Sequence, residues 1–145
     1  MPDRETIERA REDAREGKSA STQAGEFVRE EMHHIREGKH GAASTKQAIA
    51  IGLSKARRSG VKLPATGSAS TRKKAQQDTQ ASRSERKPSS TRSRATSKAL
   101  KREPHSAASR RALSRQAKSS AKKRSASARS QAARKAANTR LREAA

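Results

Sequence analysis

The stretch "EFVREEMHHIREGKHGAASTKQAIAIGLSKARRSG", residues 26–60, is the part of the chain patterned for a folded domain. Two helices are read from it. In one, from about Gln23 to Glu37, Val28, Met32 and Ile35 stand at i, i+4 and i+7, Phe27 widens the stripe, and Gly38 ends it. In the other, from about Thr45 to Ser59, Ser44 or Thr45 caps the start, Ile49, Leu53 and Ala56 share a face, and Gly60 is the stop. Upstream, "PDRETIERAREDAREGKS" reads as a third helix with Asp3 as cap, Gly17 as stop and Ile7 as its only large apolar anchor. Val61 and Leu63 are expected to fold back on the helices, and Pro64 to close the domain.

Beyond that point the apolar supply fails. Apart from Met1, ten larger apolar residues precede position 66; only Leu100, Leu113 and Leu141 follow it. Ordering a residue costs ~1–2 kcal/mol of backbone entropy, which three leucines cannot offset over the remaining length. The expected fold is therefore all-α: a small N-terminal domain of two or three helices over 1–64, most strongly patterned over 25–64, and then a long disordered basic tail. Residues 65–104 read as a disordered linker. Residues 105–145 read as an Ala/Ser/Lys/Arg-rich tail that becomes helical only when phosphates neutralise it.

Charge dominates the composition. Residues 1–65 hold 13 Lys/Arg against 10 Asp/Glu, net +3, and residues 66–145 hold 23 against 4, net +19. Such asymmetry points to a polyanionic partner. Lys and Arg bind phosphates through charge density and counterion release, so no fixed geometry is required. Arg outnumbers Lys 14 to 9 in the basic part, which favours bidentate phosphate contacts. The residues expected to contact DNA are Lys46, Lys55, Arg57, Arg58 and Lys62 in and beside the helix from about Thr45 to Ser59. In the tail they are Arg110, Arg111, Arg115, Lys118, Lys122, Lys123, Arg124, Arg129, Arg134 and Lys135. Among these, Arg111, Arg115, Lys118 and Lys122 would form a stripe at helical spacing. Readers of single strands stack bases on aromatic rings. This chain has one Phe and no Tyr or Trp, so duplex DNA fits better than RNA.

Three further motifs bear on function. "QAIAIGLS" has Ala48 and Gly52 spaced as in a helix-turn-helix, but Gln47 and Arg58 stand where that motif wants apolar residues. Gly52 also reads as a point of close packing within one continuous helix. "MHHIREGKH" gathers His33, His34 and His40; neighbours on a helix point about 100° apart, and His40 lies past the Gly38 stop, so neither a metal nor any other cofactor is expected. "GKHGAAS" matches no nucleotide-binding fingerprint and reads as an interhelical loop, with Ser44–Thr45–Lys46 able to meet a DNA phosphate.

The segment over 25–64, "GKHG…STKQAIAIGLSKARR.GVKLP" above all, resembles a family of small, uncharacterised basic bacterial proteins, some of whose members are labelled DNA-binding or plasmid-stabilisation proteins. The basic tail is similar in composition to those of bacterial histone-H1-like proteins. The family has no established activity to carry over, the histone-like resemblance is one of composition, with Ser and Arg in place of many Lys-Pro-Ala units, and neither transfers functional residues.

The expected function is thus non-sequence-specific DNA binding by a nucleoid-associated or accessory protein, with an RNA- or ribosome-associated protein, or an interaction adaptor tethered by its tail, as alternatives. Self-association through the helical domain is a further expectation. No catalytic residues stand out: there is no nucleophile beside a base and no apolar pocket. With no cysteine and no long apolar run, neither a disulfide frame, a membrane partner nor a small-molecule substrate is expected, and the location expected is the cytoplasm, at the nucleoid.

Overall fold

The computed structural model describes residues 1–84 and 89–144; residues 85–88, which fall within the expected linker, and residue 145 lie outside the described residues. Seven α-helices run in order: α1 (Arg4–Arg15), α2 (Ala20–Arg36), α3 (Thr45–Arg58), α4 (Ala69–Ala81), α5 (Ser90–Leu100), α6 (Arg110–Lys122) and α7 (Ala126–Glu143), with a 3-10 turn at His105–Ala108 between α5 and α6. They divide into two compact units, Met1–Ser109 and Arg110–Ala145.

In the first unit α2 is central, with α1, α3 and the 3-10 turn packed around it, while α4 packs on α3. Phe27 and Ile35 of α2 are fully buried. Phe27 joins Ala10, Ala24, Ala56 and Val61 in one cluster flanked by Ile7, Leu53 and Leu63, so Val61 and Leu63 do fold back as the sequence predicts. The buried face of α3 is Thr45, Ala48, Gly52 and Ala56, one small residue per turn, with Ile49 and Leu53 flanking it rather than centring it. That face lets α2 approach closely: a Cβ on Gly52 would stand 2.8 Å from the Val28 Cα. The helix runs unbroken through Gly52–Leu53–Ser54, so this segment is one helix with a close contact and not a helix-turn-helix. Ser44 caps it, accepting from the Gln47 amide at 3.2 Å.

The expected disordered tail is corrected by the structure: the described part of residues 66–145 is mostly helical. Two physical causes account for the difference. Alanine is the best helix former, and serine hydroxyls at Ser68 and Ser125 cap α4 and α7 by accepting from the amides of Thr71 and Ala128. Alanine also supplies the core, since eight of the twelve buried apolar residues among those described are alanines, including Ala75, Ala107 and Ala108 beyond position 66. Counting only large apolar side chains misses them.

Two anchors tie the later chain to the first three helices. Asp78 of α4, only 2 % exposed, accepts from Ser54 Oγ at 2.7 Å, Arg58 Nε at 2.9 Å and Lys74 Nζ at 3.2 Å. Burial pushes the Asp78 carboxyl up, but Ser54, Arg58 and Lys74 together outweigh this and hold it below the ordinary carboxylate range. The second anchor is a strap over 100–108. The amides of Gly41 and Ala42 donate to the carbonyls of Leu100 and Pro104 at 2.8 and 3.1 Å. Thr45 Oγ1 donates to Ala107 O at 2.7 Å, and Arg36 Nε to Ala108 O at 2.9 Å. The approach is tight, since a Cβ on Gly41 would fall 1.8 Å from the carbonyl oxygen of Glu103.

In the second unit, α6 and α7 have no fully buried residue among those described; Ala112, Leu113, Gln116 and Ala128 are half-buried and the rest are exposed.

Two outcomes are expected. Gly41→Ala forces the strap off, because the backbone facing it cannot yield in place, and amide hydrogen exchange at positions 41 and 42 then accelerates while Phe27 and Ile35 stay protected. Asp78→Asn removes charge-assisted bonds and loosens α4 by about 1–3 kcal/mol, read as faster exchange over 69–81. Because the native carboxyl titrates below its unfolded value, this contribution is complete above the usual carboxylate pKa near 3.8 and is lost as pH falls through the lowered native value. The wild-type and Asn proteins should converge in α4 stability at low pH.

Candidate functional site

Glu31 lies in the row Phe27–Glu31–Ile35, so the core-facing stripe of α2 places a carboxylate among apolar residues. Its side chain is fully buried, and that of its neighbour Glu30 is 3 % exposed. A buried charge is tolerated only when paired. The partner is Lys55, one turn beyond Gly52 on the same face of α3. Its Nζ stands 3.0 Å from Glu30 Oε1 and 2.8 Å from Glu31 Oε2. Burial works against the lysine charge, but the Glu31 and Glu30 carboxylates prevail and hold the ammonium above the ordinary lysine value.

Two imidazoles complete the cluster. His34 Nε2–H donates to Asp3 Oδ2 at 3.1 Å, and its Nδ1 lies 3.9 Å from Glu30 Oε1. That hydrogen bond holds the Asp3 carboxyl below its ordinary range. Asp3, read as a cap for α1, makes no side-chain cap; its carboxylate turns to His34 and its amide donates to Glu30 Oε2 at 3.0 Å. The loop after α2 brings His40 back over the helix. Its Nδ1–H donates to the Gly41 carbonyl at 3.0 Å, and its Nε2 faces Glu31 Oε1 at 3.4 Å. The two rings stand 6.2 Å apart between centroids and nearly perpendicular. His33, by contrast, is exposed. Helical geometry separates the neighbours His33 and His34, but the return of His40 is not visible in the sequence. The available signal is Glu31 itself, a charge in the middle of an apolar row, three residues before a histidine.

The residues expected to contact DNA fall into two classes. Lys55 and Arg58 are engaged inside the first unit, with Glu30/Glu31 and Asp78 respectively. Arg57 donates from Nη2 to the Pro64 carbonyl at 3.3 Å. Lys46 and Lys62 are exposed. In the second unit α6 carries Arg110, Arg111, Arg115, Lys118 and Lys122, the turn after it carries Lys123 and Arg124, and α7 carries Arg129, Arg134 and Lys135; all ten are exposed. The stripe from Arg111 to Lys122 covers about 16 Å at 1.5 Å per residue. No ion pair involves any of them among the described residues, and residues 104–142 contain no Asp or Glu at all. Arg140 and Arg142 of α7, and Arg92, Arg94 and Lys98 of α5, add exposed cations beyond those expected from the sequence; those of α5 fall in the stretch read as linker.

Residues 15–66 match DUF6496, a family of unknown function. The matched segment contains α2 and α3, and with them Glu30, Glu31, His34, His40 and Lys55; α4 to α7 lie outside it. No curated protein and no solved structure matches the chain. Among the described residues no helix is long and apolar enough to cross a membrane.

Lys55→Met should destabilise the first unit by about 3–5 kcal/mol, because two carboxylates lose their counter-ion while buried. Adding Glu31→Gln to that variant should restore part of the loss in urea denaturation. The native lysine titrates above its unfolded value, so its contribution is complete below about pH 10 and is lost as pH rises through the raised native value.

Proposed function

We propose that the protein binds duplex DNA without sequence preference, as a nucleoid-associated or accessory protein, with the helices of the second unit supplying the phosphate contacts. The observation that carries this reading is the exposure of twelve Lys and Arg over 110–142 with no acidic residue among them. A helix surface with that charge density and no internal counter-ion attracts a polyanion and gains by releasing its condensed counterions. The helices present these cations already ordered, so binding does not bear the cost of folding a tail.

Duplex rather than single-stranded nucleic acid is favoured by the fate of the one aromatic residue. Phe27, the one Phe in a chain without Tyr or Trp, is 1 % exposed in the core of the first unit and offers no face on which a base could stack. The resemblance of 25–64 to proteins labelled DNA-binding agrees with the reading. In the first unit only Lys46 and Lys62 of the expected contacts are free to assist, since Lys55 and Arg58 are committed to carboxylates.

Binding of the full chain to a duplex of arbitrary sequence should weaken with salt at a log–log slope of about −5 to −10. Replacing Arg111, Arg115, Lys118 and Lys122 with Gln should reduce the slope by about 0.9 for each phosphate that is no longer neutralised, with helicity unchanged by circular dichroism. A wild-type slope near −2, or a slope unaltered in the variant, would refute phosphate binding through α6. Preference for structured RNA over duplex DNA in direct competition would shift the reading to an RNA partner.

A further inference from the structure

We propose that Glu31, His34 and His40 form a site for a divalent transition cation of the zinc class. One ligand atom from each of the three lies within 4.8 Å of the other two. The spacing His40 Nε2 to Glu31 Oε1, 3.4 Å, already equals the edge of a tetrahedron built on metal–ligand bonds of about 2.0–2.1 Å, for which geometry gives about 3.3 Å.

The hydrogen bonds around the cluster prepare the ligands. His34 commits Nε2–H to Asp3, and His40 commits Nδ1–H to the Gly41 carbonyl. In a neutral ring these bonds leave the inner nitrogen as a lone pair, the arrangement that orients metal-binding histidines. The inner nitrogens face carboxylate oxygens, His34 Nδ1 at 3.9 Å from Glu30 Oε1 and His40 Nε2 at 3.4 Å from Glu31 Oε1. An imidazole nitrogen facing a carboxylate in a buried site calls for a cation between them, a proton or a metal ion. Glu31 supplies the second, independent sign: its side chain is fully buried, Lys55 meets Oε2 at 2.8 Å, and among the described residues Oε1 accepts no hydrogen bond.

Charge points the same way. Asp3, Glu30 and Glu31 bring three carboxylates to the cluster, with Lys55 in contact with two of them and Lys39 acting on Asp3, so the site favours a further cation. Two imidazole nitrogens and one carboxylate oxygen suit a borderline metal such as zinc better than calcium or magnesium, which take oxygen ligands. A surface cleft lined by Asp3, Thr6, Glu30, His33, His34 and Lys39 offers an entry from the Glu30 side.

Titration of the full chain with Zn²⁺ against a chelator, in the absence of DNA, tests the site. One equivalent should bind at micromolar concentration or tighter, and Co²⁺ in its place should give visible d–d absorption. His34→Ala and His40→Ala should each weaken binding at least tenfold, and His33→Ala should leave it unchanged. Glu31→Gln should weaken it as well; where that variant does not fold, the histidine variants decide alone. No binding tighter than about 100 μM would overturn the proposal, since that is far weaker than sites of this kind achieve. So would affinity retained in the His34→Ala/His40→Ala double variant, or lost equally in His33→Ala, which would assign the metal to surface imidazole.

Discussion

The pairing of Lys55 with the buried Glu30 and Glu31 is the constraint on which the packing of α2 against α3 depends. Apolar residues alone would allow these helices to slide, because the α3 face is small and nearly featureless: Thr45, Ala48, Gly52 and Ala56. A buried carboxylate allows no such latitude, since any register that moves Lys55 away strands two charges. The close contact of Val28 with Gly52 lies one turn before Glu31 on one helix and one turn before Lys55 on the other. Backbone proximity and ion pairing therefore select the same register. The ion pair is poor at adding net stability and good at excluding alternatives.

That register would be incomplete without residues far along the chain. The loop between α2 and α3 carries His40 and Gly41, and the strap over 100–108 holds it through the Gly41 and Ala42 amides. Thr45 and Arg36 secure the strap from the two helices on either side of the loop. The placement of His40 against Glu31 is thus supported by chain beyond the segment that matches the family of unknown function. The charge cluster and the strap belong to one structural unit, Met1–Ser109.

Much of the first three helices was legible in the sequence. The stops at Gly38 and Gly60, the Ser44 cap, and the return of Val61 and Leu63 follow from local chemistry that tertiary packing did not override. What was not legible shares one cause: reasoning that ranks residues by size and hydropathy. It centres α3 on Ile49 and Leu53, when the smaller Ala48 and Gly52 permit the closest approach. It discounts alanine as core, and so reads a helical chain as disordered. It also treats Glu31 and Lys55 as solvent residues, although both occupy the core-facing rows of their helices. The strap is harder still, because backbone bonds from Gly41 and Ala42 to Leu100 and Pro104 leave no side-chain pattern to find.

The two units use the same residue types to opposite ends. In the first, Arg9 meets Glu26, Lys55 meets Glu30 and Glu31, and Arg58 and Lys74 meet Asp78, so cations are consumed in holding helices together. In the second, acidic residues are missing over the whole run from Arg110 to Arg142, and among the described residues no cation of that run is ion-paired. Net charge per residue does not distinguish these uses; the distribution of carboxylates does. A lysine facing a buried glutamate is withdrawn from any external ligand, since removing it would strand that carboxylate. An arginine on α6 has no carboxylate partner among the described residues. Buried ion pairing is thus confined to the part of the chain where its acidic residues fall.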